Sequence, residues 1–177
     1  MENKVSTFNT ATRYGLFAGL ILIVWALFAM VIFDRTSFLA SFLGILVTTA
    51  ITIGASVMAI NYHRDKELGG YISFSKAFVV SILTILIAGA IMSVFSVVDR
   101  TIINPDLYEG QMEEMAIMYE DMGMDDEAID MALRVFEIFL SPFGVFFTGI
   151  LTYAFFGAII SLITALILKR EEPTPDF

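Results

Sequence analysis

Four stretches of this chain run for twenty residues or more with almost no charge, and they leave very few folds open. They are 14–33 (YGLFAGLILIVWALFAMVIF), 38–60 (FLASFLGILVTTAITIGASVMAI), 74–98 (FSKAFVVSILTILIAGAIMSVFSVV) and 143–168 (FGVFFTGILTYAFFGAIISLITALIL). The one charged side chain among them is Lys76, near an end of the third. A helix rises about 1.5 Å per residue, so each run can cross about 30 Å of hydrocarbon. A helix at a soluble surface needs a polar face, and none of these has one. The expected fold is all-α: a four-helix transmembrane bundle over 1–177, forming a single integral membrane domain. Composition agrees, since 58% of the residues are hydrophobic, where soluble domains have about 45–50%.

The first run does not read as a cleaved signal peptide, because it is too long, follows Glu2 and lacks a small-x-small cleavage site. The absence of cysteine excludes disulfides, thiolate metal sites and thiol nucleophiles. His63 is the single histidine, which excludes most catalytic triads and zinc sites. No ionisable side chain sits at a span centre and no proline interrupts a span, unlike proton pumps and many transporters. Small and hydroxylated residues do recur: Gly15 and Gly19; Thr48, Thr52 and Ser56; Ser81, Ala88 and Ser96; Gly149, Tyr153, Gly157, Ser161 and Ala165. That spacing suits close helix packing and hydrogen bonds between helices. Tyr153 reads as a polar anchor in the core.

Lysines and arginines near the span ends set the expected orientation. Lys4, Arg13, Arg64, Lys66, Lys76, Lys169 and Arg170 fall on one side, and Arg35, Arg100 and Arg134 on the other. Both termini are therefore expected to be cytoplasmic and the third loop extracytoplasmic. That loop holds most of the chain's acidity. Residues 99–137 carry twelve carboxylates against two arginines, a local charge of −10 in a chain of net −9. Such a surface excludes nucleic acid as a partner and is repelled by acidic head groups.

At about 100° per residue, Met112, Met115, Met118, Tyr119 and Met122 share one face of a helix, while Glu109, Glu113, Glu114, Glu120 and Asp121 share the other. Asn104 can cap its start ahead of Pro105, and Gly123 can end it. A second helix follows Asp125, with Asp126 and Glu127 at its positive end, Asp130 and Arg134 spaced to pair, and Ile129, Ala132, Leu133, Phe136 and Leu140 on its inner face. Ser141-Pro142 ends or kinks it. Residues 104–140 are thus expected to form an amphipathic helical hairpin. Its interaction surface would be Glu109, Glu113, Glu114, Glu120, Asp121, Asp126, Glu127 and Asp130. Methionine here reads first as packing. A secondary reading is a soft-metal site at Met112, Met115, Met118 and Met122, because thioethers so spaced can converge on Cu(I). GMDDEAID lacks the alternating oxygen ligands of a calcium loop.

In the second loop, NYHRDKELGGYISFSKAF, the residues His63, Asp65 and Glu67 read as a solvated turn closed by Gly69-Gly70. Ser73 is placed to cap the third span.

The segments GYISFSKAF (70–78), INPDLYE (103–109), the acidic hairpin with its central glycine, SP (141–142) and LILKR (166–170) occur in an order that resembles the bacterial, Bacteroidetes-type membrane proteins of domain-of-unknown-function family 4199. The resemblance covers nearly the whole chain, and its most specific parts are GYISF-x-x-AF and the hairpin. It implies four spans and an inner-membrane location, and it carries no activity or functional residue to transfer. The expected function is a structural or interaction role, without catalytic residues or cofactor, for a protein that meets the lipid bilayer and a protein partner, cations or a second copy. The alternative is a transporter or channel, with metal ions among its possible cargo. An enzyme built from carboxylates alone ranks third.

Overall fold

The computed structural model describes residues 6–33 and 37–172, with the backbone alone for 107–109. Lys4, Arg35 and the side chain of Glu109, all used in the reading above, lie outside the described residues. Six helices follow one another: α1 (Thr7–Ile32), α2 (Phe38–Tyr62), α3 (Phe74–Val98), α4 (Pro105–Asp121), α5 (Asp126–Leu140) and α6 (Pro142–Leu168). There is no strand among the described residues; one isolated backbone bridge joins Ile72 to Arg170. The helices α1, α2, α3 and α6 are long and apolar enough to cross a membrane. Their outward faces are bare hydrocarbon, as at Val31 (83% exposed) and Phe38 (85%), which suits lipid as solvent. The protein is a multi-pass membrane protein.

The chain divides into two compact units, Met1–Met92 with Thr152–Phe177, and Ser93–Leu151. In the first, small residues set the helix spacing. A Cβ added at Gly15 of α1 would lie 2.7 Å from the Ile87 Cβ and 2.8 Å from the Thr84 carbonyl oxygen of α3. One added at Gly89 of α3 would lie 2.5 Å from the Tyr153 Cβ of α6. Tyr153 is thus an anchor by its ring, packed on a glycine beside Ala18, Leu22 and Ala88. Lipid tails give no hydrophobic drive for helix association, so this close packing supplies the attraction.

Helix ends explain the departures from expectation. Ser6 caps α1, its hydroxyl accepting from Phe8 N–H at 3.3 Å, so the helix starts seven residues before the apolar run. The second and third spans both continue past their apolar parts into a π-helical turn, His63–Glu67 and Asp99–Ile103. Gly69 and Gly70 then make the expected turn with positive φ, and Ser73 accepts from Lys76 N–H at 3.4 Å at the start of α3.

In the second unit α4 and α5 pack together. Their turn is closed by Gly123 at φ 78°, and Asp125 caps α5 by accepting from Ala128 N–H at 2.8 Å. Asn104 does not cap α4. Its amide instead donates to Asp99 Oδ1 at 2.6 Å, because the π turn ending at Ile103 brings the two side chains together. Asp130 and Arg134 are both exposed and form no ion pair among the described residues, consistent with the small gain such a pair offers in water. Ser141 separates α5 from α6, donating to the Ile138 carbonyl at 2.7 Å and accepting from Gly144 N–H at 3.1 Å.

Candidate functional site

The most organised polar group in the first unit lies where α1 begins and α2 ends. Thr7 and Thr10 are three apart on α1 and share a face, as do His63 and Glu67, four apart across the π turn. The Thr10 hydroxyl donates to the Glu67 carboxylate at 3.0 and 3.1 Å. His63 Nδ1 faces the same carboxylate in closer contact and lies 3.2 Å from the Thr10 oxygen. The Thr7 hydroxyl stands 3.4 Å from His63 Nε2. His63 is 2% exposed, Thr10 3% and the Glu67 side chain 8%. Buried ionisable groups need hydrogen bonds to offset lost hydration, and here each is met.

This corrects the reading of the second loop as a solvated turn. Of His63, Asp65 and Glu67, only Asp65 behaves that way, its carboxylate exposed and accepting from Arg64 at 2.7 and 3.0 Å. The π turn directs His63 and Glu67 inward, and the extra turns of α1 supply hydroxyls that the apolar run did not announce. Arg13 over the Tyr62 ring (5.5 Å) and Tyr14 against Tyr62 (5.7 Å) flank the cluster. Arg64 also donates to the Leu168 carbonyl at 3.3 Å, capping the end of α6. The second unit has a parallel arrangement: buried Asp99 opens a π turn, and the next residue, Arg100, donates to the Leu140 carbonyl at the end of α5 at 3.1 Å.

Deeper in the first unit, four hydroxyls join three helices. Ser81 of α3 lies 2.5 Å from Ser56 of α2 and 2.7 Å from Ser161 of α6; Ser56 lies 3.0 Å from Thr164. Thr164 also donates to the Ile160 carbonyl at 2.8 Å. Ser56, Ser81 and Ser161 belong to the stripes expected from sequence and Thr164 does not, and all four hydrogen-bond between helices. Ser56 and His63 are seven residues apart along the second span, about 10 Å at helical rise. Ala59 and Ile60, both fully buried with Ala77, Val80 and Ala165, occupy that interval. The two polar clusters are therefore separated by an apolar layer, which suits fastening of helices better than passage of protons or ions. A cavity of about 630 Å³ between α2 and α6 has Ser41, Thr48, Thr49, Thr52, Thr152 and Tyr153 among its lining residues, and no carboxylate, amine, guanidinium or imidazole.

On the hairpin, Glu113, Glu114, Glu120, Asp121, Asp126, Glu127 and Asp130 are all exposed. The methionine stripe is divided: Met112 and Met115 are half-buried with Tyr119, whereas Met118 and Met122 are exposed. On α5, Ile129 is buried and Ala132, Leu133, Phe136 and Leu140 half-buried, the face expected of them. Among the described residues no three His, Cys, Asp or Glu side chains are placed to hold a metal ion.

The family model described as protein of unknown function, DUF4199, matches residues 13–170. The chain belongs to this family. No curated protein and no solved structure matches it. The DUF4199 match takes in His63, Glu67 and the four hydroxyls, while Thr7 and Thr10 lie ahead of it. The DUF4199 description assigns no activity.

Proposed function

We propose that this chain is a structural or interaction protein of the bacterial cytoplasmic membrane, without catalytic activity, that presents the α4–α5 hairpin to a protein partner, a second copy or cations. Both termini lie in the cytoplasm in this reading, and span parity places the loop holding the hairpin on the far side. One observation carries the proposal. Seven carboxylates stand in water on two helices, none of them in an ion pair among the described residues. A surface that only had to be soluble would gain from interspersed lysine or arginine, and this one has Arg134 alone. The resulting negative field attracts cations and basic protein surfaces and speeds their encounter.

The test is replacement of Glu113 with Glu114, Glu120 with Asp121, and Asp126 with Glu127 by glutamine, pair by pair, in tagged protein purified from the native membrane. The expected result is loss of a co-purifying protein, of self-association, or of a calcium-dependent shift in melting temperature. If all three readouts match wild type for every pair, the hairpin does no more than pack and the proposal fails.

A further inference from the structure

A second cavity, about 510 Å³, lies where α3 begins and α6 ends, lined by parts of 68–76 and 170–172. Its size is within the range of small-ligand sites, about 300–1,000 Å³. Two backbone hydrogen bonds hold its walls together: Ile72 N–H to the Arg170 carbonyl at 2.8 Å, and Arg170 N–H to the Ile72 carbonyl at 2.9 Å. The lining brings two cations, Lys76 and Arg170, and two carboxylates, Glu171 and Glu172. Lys76, Arg170 and Glu172 belong to no ion pair among the described residues, and Glu171 reaches Lys169 at 3.7 Å, the edge of contact. The exposed Arg170 guanidinium lies 5.6 Å from the centre of the Tyr71 ring, a contact that leaves its donors available.

Lys76 is the residue most in need of explanation. It is exposed in the first turn of α3, beside Phe74, Ala77 and Phe78 in the chain, where the positive helix end disfavours a cation. An anion bound there offsets that end charge. Snorkelling alone would bring Lys76 to any phosphate, and it leaves the two adjacent carboxylates unexplained. Those carboxylates would repel a purely anionic head group, and Lys76 with Arg170 would repel a simple amine.

From this charge balance we infer that the cavity binds the head group of a zwitterionic phospholipid with a primary ammonium. The phosphodiester lies against Lys76 and Arg170, and the ammonium donates to Glu171 and Glu172. A trimethylated ammonium has no N–H to donate, so phosphatidylethanolamine is preferred to phosphatidylcholine. The charge pattern sets it above phosphatidylglycerol.

The experiment is native mass spectrometry of the full chain exchanged into mild detergent with each of the three lipids in turn, and with inorganic phosphate. Phosphatidylethanolamine should be retained about tenfold better than either other lipid, and phosphate should not displace it. Lys76→Gln with Arg170→Gln should remove that retention, and Glu171→Gln with Glu172→Gln should shift the preference toward phosphatidylglycerol. Equal retention of the three lipids by the wild-type chain would overturn the inference, as would displacement by phosphate or an unchanged preference in both variants. Should a variant fail to fold, the wild-type comparison decides alone.

Discussion

Glu67 keeps a nearly buried carboxylate by virtue of two donors, the Thr10 hydroxyl and His63 Nδ1. Removing one leaves an acceptor that neither water nor protein satisfies, at a cost of about 1–3 kcal/mol. Thr10→Val should therefore lower the melting temperature in detergent, whereas Thr10→Ser should restore it and Asp65→Asn, at an exposed site, should change little. A melting curve for Thr10→Val that overlays wild type would show the cluster to be incidental. The partners are 53 and 57 residues apart in the chain, and this explains why the cluster escaped the sequence reading. Periodicity reports which face a residue occupies, not which distant hydroxyl will meet it. Asp99 and Asn104 are closer together, yet their contact depends on a π turn that no composition signal marks.

The six helices divide by how legible their ends are. The hairpin ends were marked by residues with one strong preference each: Pro105 at a first turn, Gly123 at positive φ, Asp125 as a cap. The spans were found by hydropathy, which measures the apolar part and stops there. Thus α1 and the ends of the second and third spans run on into polar sequence that the apolar runs left out. Both π turns pair a buried polar first residue with an arginine that caps another helix, His63-Arg64 and Asp99-Arg100. Packing between helices yields a sharp comparison. Gly89→Ala should destabilise the bundle, since its Cβ would overlap the Tyr153 ring base, while Gly54→Ala meets nothing within 4 Å. The second change should be neutral or raise stability by up to about 1 kcal/mol through helix propensity. Melting temperatures of the two variants in one detergent would check this, and equal effects would contradict the packing described.

At the level of the whole molecule, orientation rests on counted arginines and lysines, and a chain free of cysteine makes it directly measurable. A single cysteine at Glu113 should react with an impermeant reagent in intact cells, and one at exposed Lys66 should react only after the cells are opened. The reverse pattern would invert the topology. Membrane character and the four spans were open to sequence reasoning because the bilayer imposes one length and one polarity on every crossing helix. The His63–Glu67 cluster and the cavity beside Lys76 and Arg170 were not, because they depend on side chains drawn together from distant parts of the chain, whereas the spacing of Ser56, Ser81 and Ser161 did mark the hydroxyl cluster. The two π turns carry a further consequence for how such chains tolerate change in length. A π turn holds one residue more than α-helical winding needs. Losing one residue within 63–67 or 99–103 can be absorbed by reversion to ordinary winding, whereas the same deletion in mid-span swings every later side chain by about 100°. Relatives should therefore accumulate single-residue gaps and insertions at these two turns while the apolar segments between them keep their count.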